Sequence, residues 1–236
     1  MTGDVARFKQ QAGEAAAALV EPGMVVGLGT GTTAIFAIRR IAARLRDGEL
    51  PGIVAVATSV ATAASARLLG IPLLDDDIPR AIDLTIDGAD EVDPALDLIK
   101  GAGGALVREK IVAQASNWVV IVVDASKTSD ALGRRSLLPV EVLAWGWEAQ
   151  HRYLADLGAT VTVREADSRR YLTDGGNMIL DCGFGTITDT AGLAATLEAR
   201  AGIVGHGLFV AIADEVIVAG PTGVEHRRRS GLVLNR

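Results

Sequence analysis

Short runs of β-branched and other apolar residues alternate along the chain with Ala- and Leu-rich stretches in which apolar residues have helical spacing. This alternation is typical of α/β proteins that contain a parallel sheet. The run at 118–123 is apolar throughout, which favours a fully buried central strand. The pattern predicts helices at 6–20, 33–45, 60–69, 148–157 and 192–201. It predicts strands at 24–28, 53–57, 82–86, 118–123, 160–164, 178–181, 207–210 and 216–219.

The character of the sequence changes after residue 129, where glycine, proline and two nearby tryptophans precede shorter and less apolar elements. We therefore expect two domains. Residues 1–131 and 207–236 are predicted to form a Rossmann-like α/β domain, with an open, mainly parallel sheet and helices on both faces. Residues 132–206 are predicted to form a smaller α+β (ferredoxin-like) domain, after which the last strands return to the first sheet.

Charge and composition exclude several classes of protein. The 23 Lys and Arg residues against 29 Asp and Glu residues leave a net charge of −6, which disfavours a nucleic-acid partner. The dense basic run at 227–229 is predicted to be a solvated tail. The single cysteine, Cys182, cannot form an internal disulfide, and the longest apolar runs fall far short of the ~20 residues that span a bilayer. We expect a cytoplasmic protein without membrane contact.

A glycine- and threonine-rich segment, Gly27 to Ala34, lies between a predicted strand and a predicted helix. Glycines let the backbone approach a ligand closely, and the free N–H groups of a helix N-terminus attract anions. The segment has the character of a phosphate-binding loop. It lacks a P-loop ending, and the dinucleotide fingerprint is incomplete because Ala34 replaces its third glycine. A tight structural turn capped by threonine is the remaining interpretation.

Carboxylates are concentrated at the end of a predicted strand, in the segment Asp87 to Asp93. Ligands of open parallel sheets bind beyond the carboxyl ends of the strands. Crowded carboxylates there can transfer protons, since like charges raise at least one pKa. They can also hold Mg²⁺, or simply cap a turn.

A second glycine turn, which follows Lys100, opens a predicted helix that contains Glu109. If the turn folds both side chains into one pocket, the lysine can stabilise an oxyanion while the carboxylate removes a proton from carbon. The alternative is a charged helix face made by residues 108–110. Lys127 follows the buried strand as a further cation. The three histidines, at 151, 206 and 226, lack metal-binding spacing, so His151, His206 and His226 are predicted to lie on the surface or to cap helices or turns. Cys182 is predicted to be a small core residue.

Together these segments resemble ribose-5-phosphate isomerase type A, in order and in spacing. The resemblance covers nearly the whole chain, through the segments 27–34, 86–92, 98–112, 123–127, 138–143, 171–181 and 207–209. It implies an aldose–ketose isomerase of the non-oxidative branch of the pentose phosphate pathway, which interconverts ribose 5-phosphate and ribulose 5-phosphate. It also implies that the enzyme uses neither a metal nor an organic cofactor and forms a homodimer or homotetramer.

The resemblance also implies roles for individual residues. Glu109 matches the base that moves a proton between carbons 1 and 2 through an enediolate. Asp87 and Asp90 match acids that assist ring opening and proton movement on the oxygens, and Lys100 matches a cation near the enediolate. The implied substrate-binding residues are Thr30, Gly31, Thr32, Thr33, Asp87, Gly88, Ala89, Asp90, Lys100, Gly101, Ala102, Gly103, Lys127 and, by a looser match, Lys9.

The sequence departs from the family pattern at two glycine-rich turns. Ala102 stands where the family commonly has a third consecutive glycine, and Gly175-Gly176-Asn177 replaces the more usual Asn-Gly-Asn. A methyl group at position 102 could narrow the loop, but neither change removes a chemically active group. The alternatives to this interpretation are a non-enzymatic sugar-phosphate sensor, which would need neither Glu109 nor Lys100, and another enzyme on a related scaffold. Such an enzyme would be an amino-sugar phosphate isomerase or a coenzyme A transferase.

Overall fold

The computed structural model describes residues 2–74, 78 and 80–229. The helices are α1 (Thr2–Ala17), α2 (Ala34–Arg46), α3 (Val60–Leu68), α4 (Leu106–Gln114), α5 (Trp147–Asp156) and α6 (Thr190–Glu198). The strands are β1 (Val25–Leu28), β2 (Val54–Ala57), β3 (Leu84–Gly88), β4 (Glu91–Val92), β5 (Leu98–Ile99), β6 (Val119–Asp124), β7 (Leu138–Val142), β8 (Thr160–Val163), β9 (Glu165–Ala166), β10 (Arg169–Arg170), β11 (Met178–Gly183), β12 (Ile203–His206), β13 (Leu208–Phe209), β14 (Glu215–Gly220) and β15 (Gly223–Arg228). None of the described helices is long and apolar enough to cross a membrane.

The chain forms two compact units. The first, called the α/β unit, comprises residues 1–89, 108–127 and 211–236, and the second, called the α+β unit, comprises residues 90–107 and 128–210. The predicted smaller domain at 132–206 lies inside the α+β unit. That unit also takes residues 90–107, because β4 and β5 belong to a small sheet with β13.

The α/β unit is built on a sheet with the strand order β15-β14-β6-β3-β1-β2, parallel except for β15. Alternate residues of a strand face opposite sides of this sheet. Val26 packs on the side where residues of α1 and α2 lie, whereas Val25 packs on the other side, with Val112 of α4. Helices therefore cover both faces, as predicted. The α2 helix buries positions 34, 37, 38, 41 and 42, which share one helical face. The β6 strand is buried along its whole length, which confirms the predicted central strand.

The α+β unit contains an antiparallel sheet in the order β12-β7-β11-β8. Helix α5 connects β7 to β8, and α6 connects β11 to β12. This is the strand–helix–strand, strand–helix–strand arrangement of a ferredoxin-like fold, with the β9–β10 hairpin inserted between β8 and β11. One apolar cluster, including Leu138, Val140, Leu154, Leu180 and Leu197, fills its core.

Several predicted elements were wrong in place or partner. The 207–210 strand does not return to the large sheet, because Leu208–Phe209 pairs with β5. Next to this pair, Gly207 donates its N–H to the carbonyl of Pro139, and its carbonyl accepts the N–H of Lys100. The β7 strand was missed because Pro139, which occupies its second position, argues against a central strand, yet β7 pairs on both sides, with β11 and β12. The first helix begins at Thr2 and ends at Ala17, rather than spanning 6–20.

The basic run at 227–229 does not form the predicted tail. Arg227 and Arg228 belong to β15, an exposed edge strand that pairs antiparallel with β14. Both side chains have acidic partners: Arg228 Nε lies 2.9 Å from Glu215, and Arg227 Nη2 lies 2.8 Å from Glu225. The ion pair with Arg227 lowers the pKa of the Glu225 carboxyl. The first two arginines are therefore in a solvated edge strand and not in a tail, and the backbone N–H of Arg229, just after the strand, donates to the carbonyl of Asp214 at 2.9 Å.

Candidate active site

The glycine loop after β1 is held against the end of β3. The N–H of Gly29 donates to the Ile86 carbonyl (2.9 Å), and the N–H of Thr30 donates to Asp87 Oδ1 (3.0 Å). A Cβ at position 29 would lie 2.2 Å from Asp87 Oδ1 and 2.5 Å from Asp87 Cα. Glycine is therefore required there, because it lets the loop approach the aspartate backbone.

The hydroxyl group of Thr30 belongs to an internal network and does not project into solvent. Its Oγ1 lies 2.8 Å from the hydroxyls of Thr58 and Ser59 and 3.0 Å from that of Thr62. The Thr58 and Thr62 hydroxyls also donate to main-chain carbonyls at the end of β1. The connection between β2 and α3 and the first turn of α3 therefore fix the loop through Thr30, while Gly31 and Thr32 are exposed.

The exposed part of this loop has the character of an anion site. Lys9 of α1 places Nζ 2.9 Å from Thr32 Oγ1, so the loosely matched lysine does reach the loop. Thr33 is the N-cap of α2 and makes no side-chain capping hydrogen bond. A helix N-terminus carries a partial positive charge and free N–H groups. With the lysine, it forms a binding surface suited to a phosphate group.

Asp87 and Lys127, two further predicted residues of the α/β unit, lie at the carboxyl edge of its sheet, and Glu109 lies in α4. Asp87, near the end of β3, is buried, and its Oδ1 also accepts the N–H of Gly88 (2.7 Å). Glu109 lies in the first turn of α4, is 4% exposed, and benefits there from the helix dipole. Lys127 ends a 3₁₀ turn directly after β6 and is half-buried; Asp124 caps that turn by accepting the N–H of Ser126.

The predicted residues of the α+β unit include Asp90 and the second glycine loop, 101–104, and the structure brings them together. Asp90 Oδ2 accepts the N–H of Ala102 at 2.9 Å, and the N–H of Asp90 donates to the Ile99 carbonyl at 2.8 Å. Ala102 itself is exposed. A carboxylate of the predicted catalytic set is thus anchored to the loop that the resemblance assigns to substrate binding.

Lys100 is a buried cation of the α+β unit. Its side chain is 3% exposed, and its Nζ lies 5.5 Å from the centroid of the Phe209 ring. Its N–H donates to the carbonyl of Gly207, where a Cβ would come within 2.2 Å of the Lys100 carbonyl oxygen. The glycine therefore permits the close pairing that holds the lysine in place, and an aromatic face accommodates the charge.

Glu91 is a supporting residue that the sequence reasoning missed. Its side chain is 0% exposed, and both carboxylate oxygens accept backbone N–H groups from residues 133–136, at 3.0 to 3.2 Å. Ser136 Oγ in turn donates to the carbonyl of Asp90. This buried carboxylate holds a distant loop against the backbone of Asp90. Backbone donors 42 to 45 positions away have no sequence signature that could reveal the contact.

The weaker candidates have structural roles. His206 was predicted to lie on the surface or to cap: it is not on the surface, being 1% exposed, and its Nδ1 accepts the backbone N–H of Leu208 at 3.2 Å. The partly exposed His226 lies 2.6 Å from Glu215 Oε1. Cys182 is confirmed as a core residue, and burial raises the pKa of its thiol to about 12. Within the described ranges, no group of three or more His, Cys, Asp or Glu residues is arranged to hold a metal ion.

The predicted catalytic residues are distributed over the two units: Asp87 and Glu109 lie in the first, Asp90 and Lys100 in the second. Residues 54–223 match the family described as ribose 5-phosphate isomerase A (phosphoriboisomerase A). The chain belongs to this family. Among its relatives, the ribose-5-phosphate isomerase A of Chloroflexus aurantiacus is 58% identical over 92% of each chain. That of Thermomicrobium roseum is 49% identical over 96% of each chain.

Solved structures of ribose 5-phosphate isomerases share the fold. That of Plasmodium falciparum has a TM-score of 0.92 at 35% identity, covering 95% of this chain and 99% of its own. A D-ribose-5-phosphate isomerase solved in complex with phospho-erythronic acid has a TM-score of 0.93 at 36% identity, with the same coverage. The chain is thus an isomerase of the ribose 5-phosphate isomerase A family, and its Rossmann-like fold with a smaller α+β part is that of the family.

Proposed function

We propose that this isomerase interconverts D-ribose 5-phosphate and D-ribulose 5-phosphate, with Glu109 as the proton-transferring base. The observation that carries the proposal is the family membership over nearly the whole chain. The local chemistry supports it: an anion-binding loop, a buried carboxylate and a buried lysine occupy the positions that match the family motifs.

The phosphate group of the substrate is assigned to the loop at the start of α2. The helix N-terminus and the exposed hydroxyl of Thr32 supply donors, and Lys9 supplies positive charge beside them. Lys127 is proposed as a further cation that contacts the substrate. The local positive charge of this loop is compatible with the net charge of −6 of the whole chain.

The reaction moves protons and needs no electron acceptor. We assign to Glu109 removal of the proton from carbon 2 of the open-chain aldose and its return to carbon 1. Between these steps the electron pair of the broken C–H bond forms the enediolate, whose negative charge Lys100 stabilises. The oxygen on carbon 1 gains a proton and that on carbon 2 loses one, which is the work proposed for Asp87 and Asp90. These steps balance without a metal or an organic cofactor.

The test is conversion of ribose 5-phosphate to a ketose by the purified protein in the presence of EDTA. Glu109→Gln is expected to lower kcat by ~10²- to 10⁴-fold, the usual contribution of a general base, while substrate binding measured by calorimetry persists. Glu148→Gln is the matched control, since Glu148 is an exposed carboxylate in the first turn of α5. Near-normal turnover by Glu109→Gln would exclude it as the base. Phosphosugar binding by the wild type without turnover would favour a sensor or a different substrate.

Lys127→Ala tests the proposed distal cation. The expected result is a KM raised about 10-fold, because a lost charge-assisted contact is worth ~1.5 kcal/mol or more, with kcat within about threefold of the wild type. Steady-state kinetics on ribose 5-phosphate measures both constants. A lowered kcat with unchanged KM would contradict a binding role and would place Lys127 in the chemical step.

We propose that the enzyme acts in the cytoplasm, in the non-oxidative branch of the pentose phosphate pathway, as a homodimer or homotetramer that binds no nucleic acid or membrane. The single buried cysteine supports a reducing compartment, and the net negative charge disfavours a nucleic-acid partner, whereas the pathway and the oligomeric state follow from the family resemblance alone. Sedimentation equilibrium would decide the oligomeric state.

A further inference from the structure

Arg164 connects the antiparallel sheet of the α+β unit to the second glycine loop, 101–104. It follows β8, and its backbone is fixed on both sides: its N–H donates to the Ile179 carbonyl, and its carbonyl accepts the N–H of Tyr171, both at 2.9 Å. Its side chain is 15% exposed, and its guanidinium carbon lies 6.0 Å from the centre of the Tyr171 ring. The origin and the path of this side chain are therefore both defined.

The guanidinium group has two sets of partners. Nε and Nη2 both contact the carboxylate of Asp181 in β11, with Nε 2.9 Å from Oδ2. Nη1 donates to two successive carbonyls of the glycine loop, Gly101 at 2.8 Å and Ala102 at 3.1 Å. A planar guanidinium presents its donors in a rigid fork, so anchoring one side on a carboxylate fixes the direction of the other.

These contacts determine the orientation of the loop. Gly101 has a φ of +105° and its carbonyl also accepts the N–H of Gly104, at 3.0 Å. Ala102 directs its carbonyl to Arg164 and its N–H to Asp90 Oδ2. One residue of the loop thus links the arginine to the carboxylate of Asp90. Moving the arginine would release both peptide groups and, with them, the anchor of that carboxylate.

We propose that Arg164 is a positioning residue for the isomerisation, with Asp181 as its fixed counter-ion. It holds the glycine loop so that Asp90 and the loop present a preformed surface to the substrate. This inference rests on the proposed function, which assigns Asp90 and residues 101–103 to substrate binding. The small antiparallel sheet therefore contributes to catalysis through a side chain that is 62 to 63 positions distant from the loop in sequence.

The same kind of arrangement occurs at a place without candidate site residues, and it supplies the control. Arg44 of α2 donates Nη1 to the carbonyls of Ala17 and Val20, at 2.7 and 3.0 Å, and Nε to Glu49 at 2.8 Å. Its side chain is 16% exposed. Arg44→Met removes an equivalent set of contacts, so it reports the stability cost of such a loss away from the glycine loop.

The experiment compares Arg164→Met with Arg44→Met in the full-length protein. Hydrogen exchange of peptides covering residues 100–104 is expected to be about 10-fold faster in Arg164→Met and unchanged in Arg44→Met. At a temperature where both variants are folded, kcat on ribose 5-phosphate should fall about 10- to 100-fold in Arg164→Met and stay within about twofold in Arg44→Met. Arg164→Lys, which can reach one carbonyl but lacks the fork, should lie between Arg164→Met and the wild type.

Two results would overturn the inference. Equal exchange of residues 100–104 in the two methionine variants would show that Arg164 does not hold the loop. Faster exchange with a kcat equal to that of Arg44→Met would show that holding the loop does not matter for the reaction. If Arg164→Met does not fold, Asp181→Asn is the second variant, because it keeps the shape of the side chain that Arg164 contacts and removes its charge. It should also speed the exchange of residues 100–104 and lower kcat, both by less than Arg164→Met. Absence of turnover in the wild type would instead refute the proposed function, while the exchange measurement still decides the loop contact.

Discussion

The two units hold their functional loops in different ways. In the α/β unit the loops follow directly from strand ends, and they are held by short-range fit: Gly29 lies against Asp87, and Thr30 contacts hydroxyls of the neighbouring connection. In the α+β unit the loops are held by two charged side chains, the buried Glu91 and the partly buried Arg164, that bond to backbone groups far away in sequence. The first arrangement depends on volume, and the second depends on charge.

This difference predicts how each unit fails. A loop held by close approach should be broken by added volume, even when no polar group is lost. A loop held by a charged side chain should be broken by an isosteric change that removes the charge, because the backbone N–H or C=O groups bonded to that side chain then lose their hydrogen-bond partner.

The largest effect is expected from Gly29→Ala in the α/β unit. The new methyl group would meet the backbone of Asp87 at 2.5 Å, so the strand end must move, at a cost of ~3 kcal/mol or more in the free energy of unfolding. Gly88→Ala is the matched control, since the nearest atom to its new Cβ would be 3.8 Å away. Urea unfolding measures both; equal losses would refute the claim that close approach holds this loop.

A smaller effect, ~2 kcal/mol, is expected from Glu91→Gln in the α+β unit. Glutamine keeps the shape of the side chain but replaces one carboxylate oxygen by an NH₂ group. Backbone N–H groups that donate to the carboxylate in the wild type would then face another donor. Glu165→Gln, on the exposed β9 strand, should change the free energy of unfolding by less than ~0.5 kcal/mol. If the two variants are equally stable in denaturant, charge does not hold the 133–136 loop.

The smallest effect concerns Asp214, a carboxylate of the α/β unit. Burial raises its pKa above 3.8 in spite of the N–H of Val119 and the charge of Arg229, which lower it. A raised pKa means that the folded state binds the proton more tightly, so this group stabilises folding at low pH and loses that contribution as pH rises through the raised pKa.

Asp214→Asn should therefore equal or exceed the wild type in stability near neutral pH, by at most ~1 kcal/mol because the group is partly solvated. The difference should diminish as pH falls toward 3.8. Thermal unfolding over this pH range measures it. A stability difference that grows on acidification would contradict the assigned direction. A destabilising charge at Asp214 would contrast with Glu91, whose charge is predicted to stabilise the fold.

Features that depend on residues close together in the chain could be predicted from sequence, and features that depend on distant contacts could not. Strands such as β6 and the motifs at strand ends depend on residues that are neighbours in the chain, so pattern and spacing were enough to predict them. The β7 strand was missed because Pro139 indicates locally that no central strand forms there. The pairing of β7 with β11 and β12, which the sequence does not reveal, overrides that local indication. Arg164 and Glu91 were missed as supporting residues because their partners are backbone groups, which every residue possesses.

The site residues show the same division. The sequence places Lys9 only by a loose match, since its contact with Thr32 depends on how α1 packs beside α2. It also treats Thr30 and Thr32 as equivalent loop residues. The structure distinguishes them, because the Thr30 hydroxyl contacts Thr58 and Ser59 of the β2–α3 connection and Thr62 of α3.

The contact between Glu91 and residues 133–136 has an evolutionary consequence. Because the carboxylate is bound by consecutive backbone N–H groups, the exposed side chains of Arg134 and Arg135 are free to change identity during divergence. The number of residues in the segment is not free to change, since one insertion or deletion would put the donors out of register. This surface segment should drift in composition while its length stays constant.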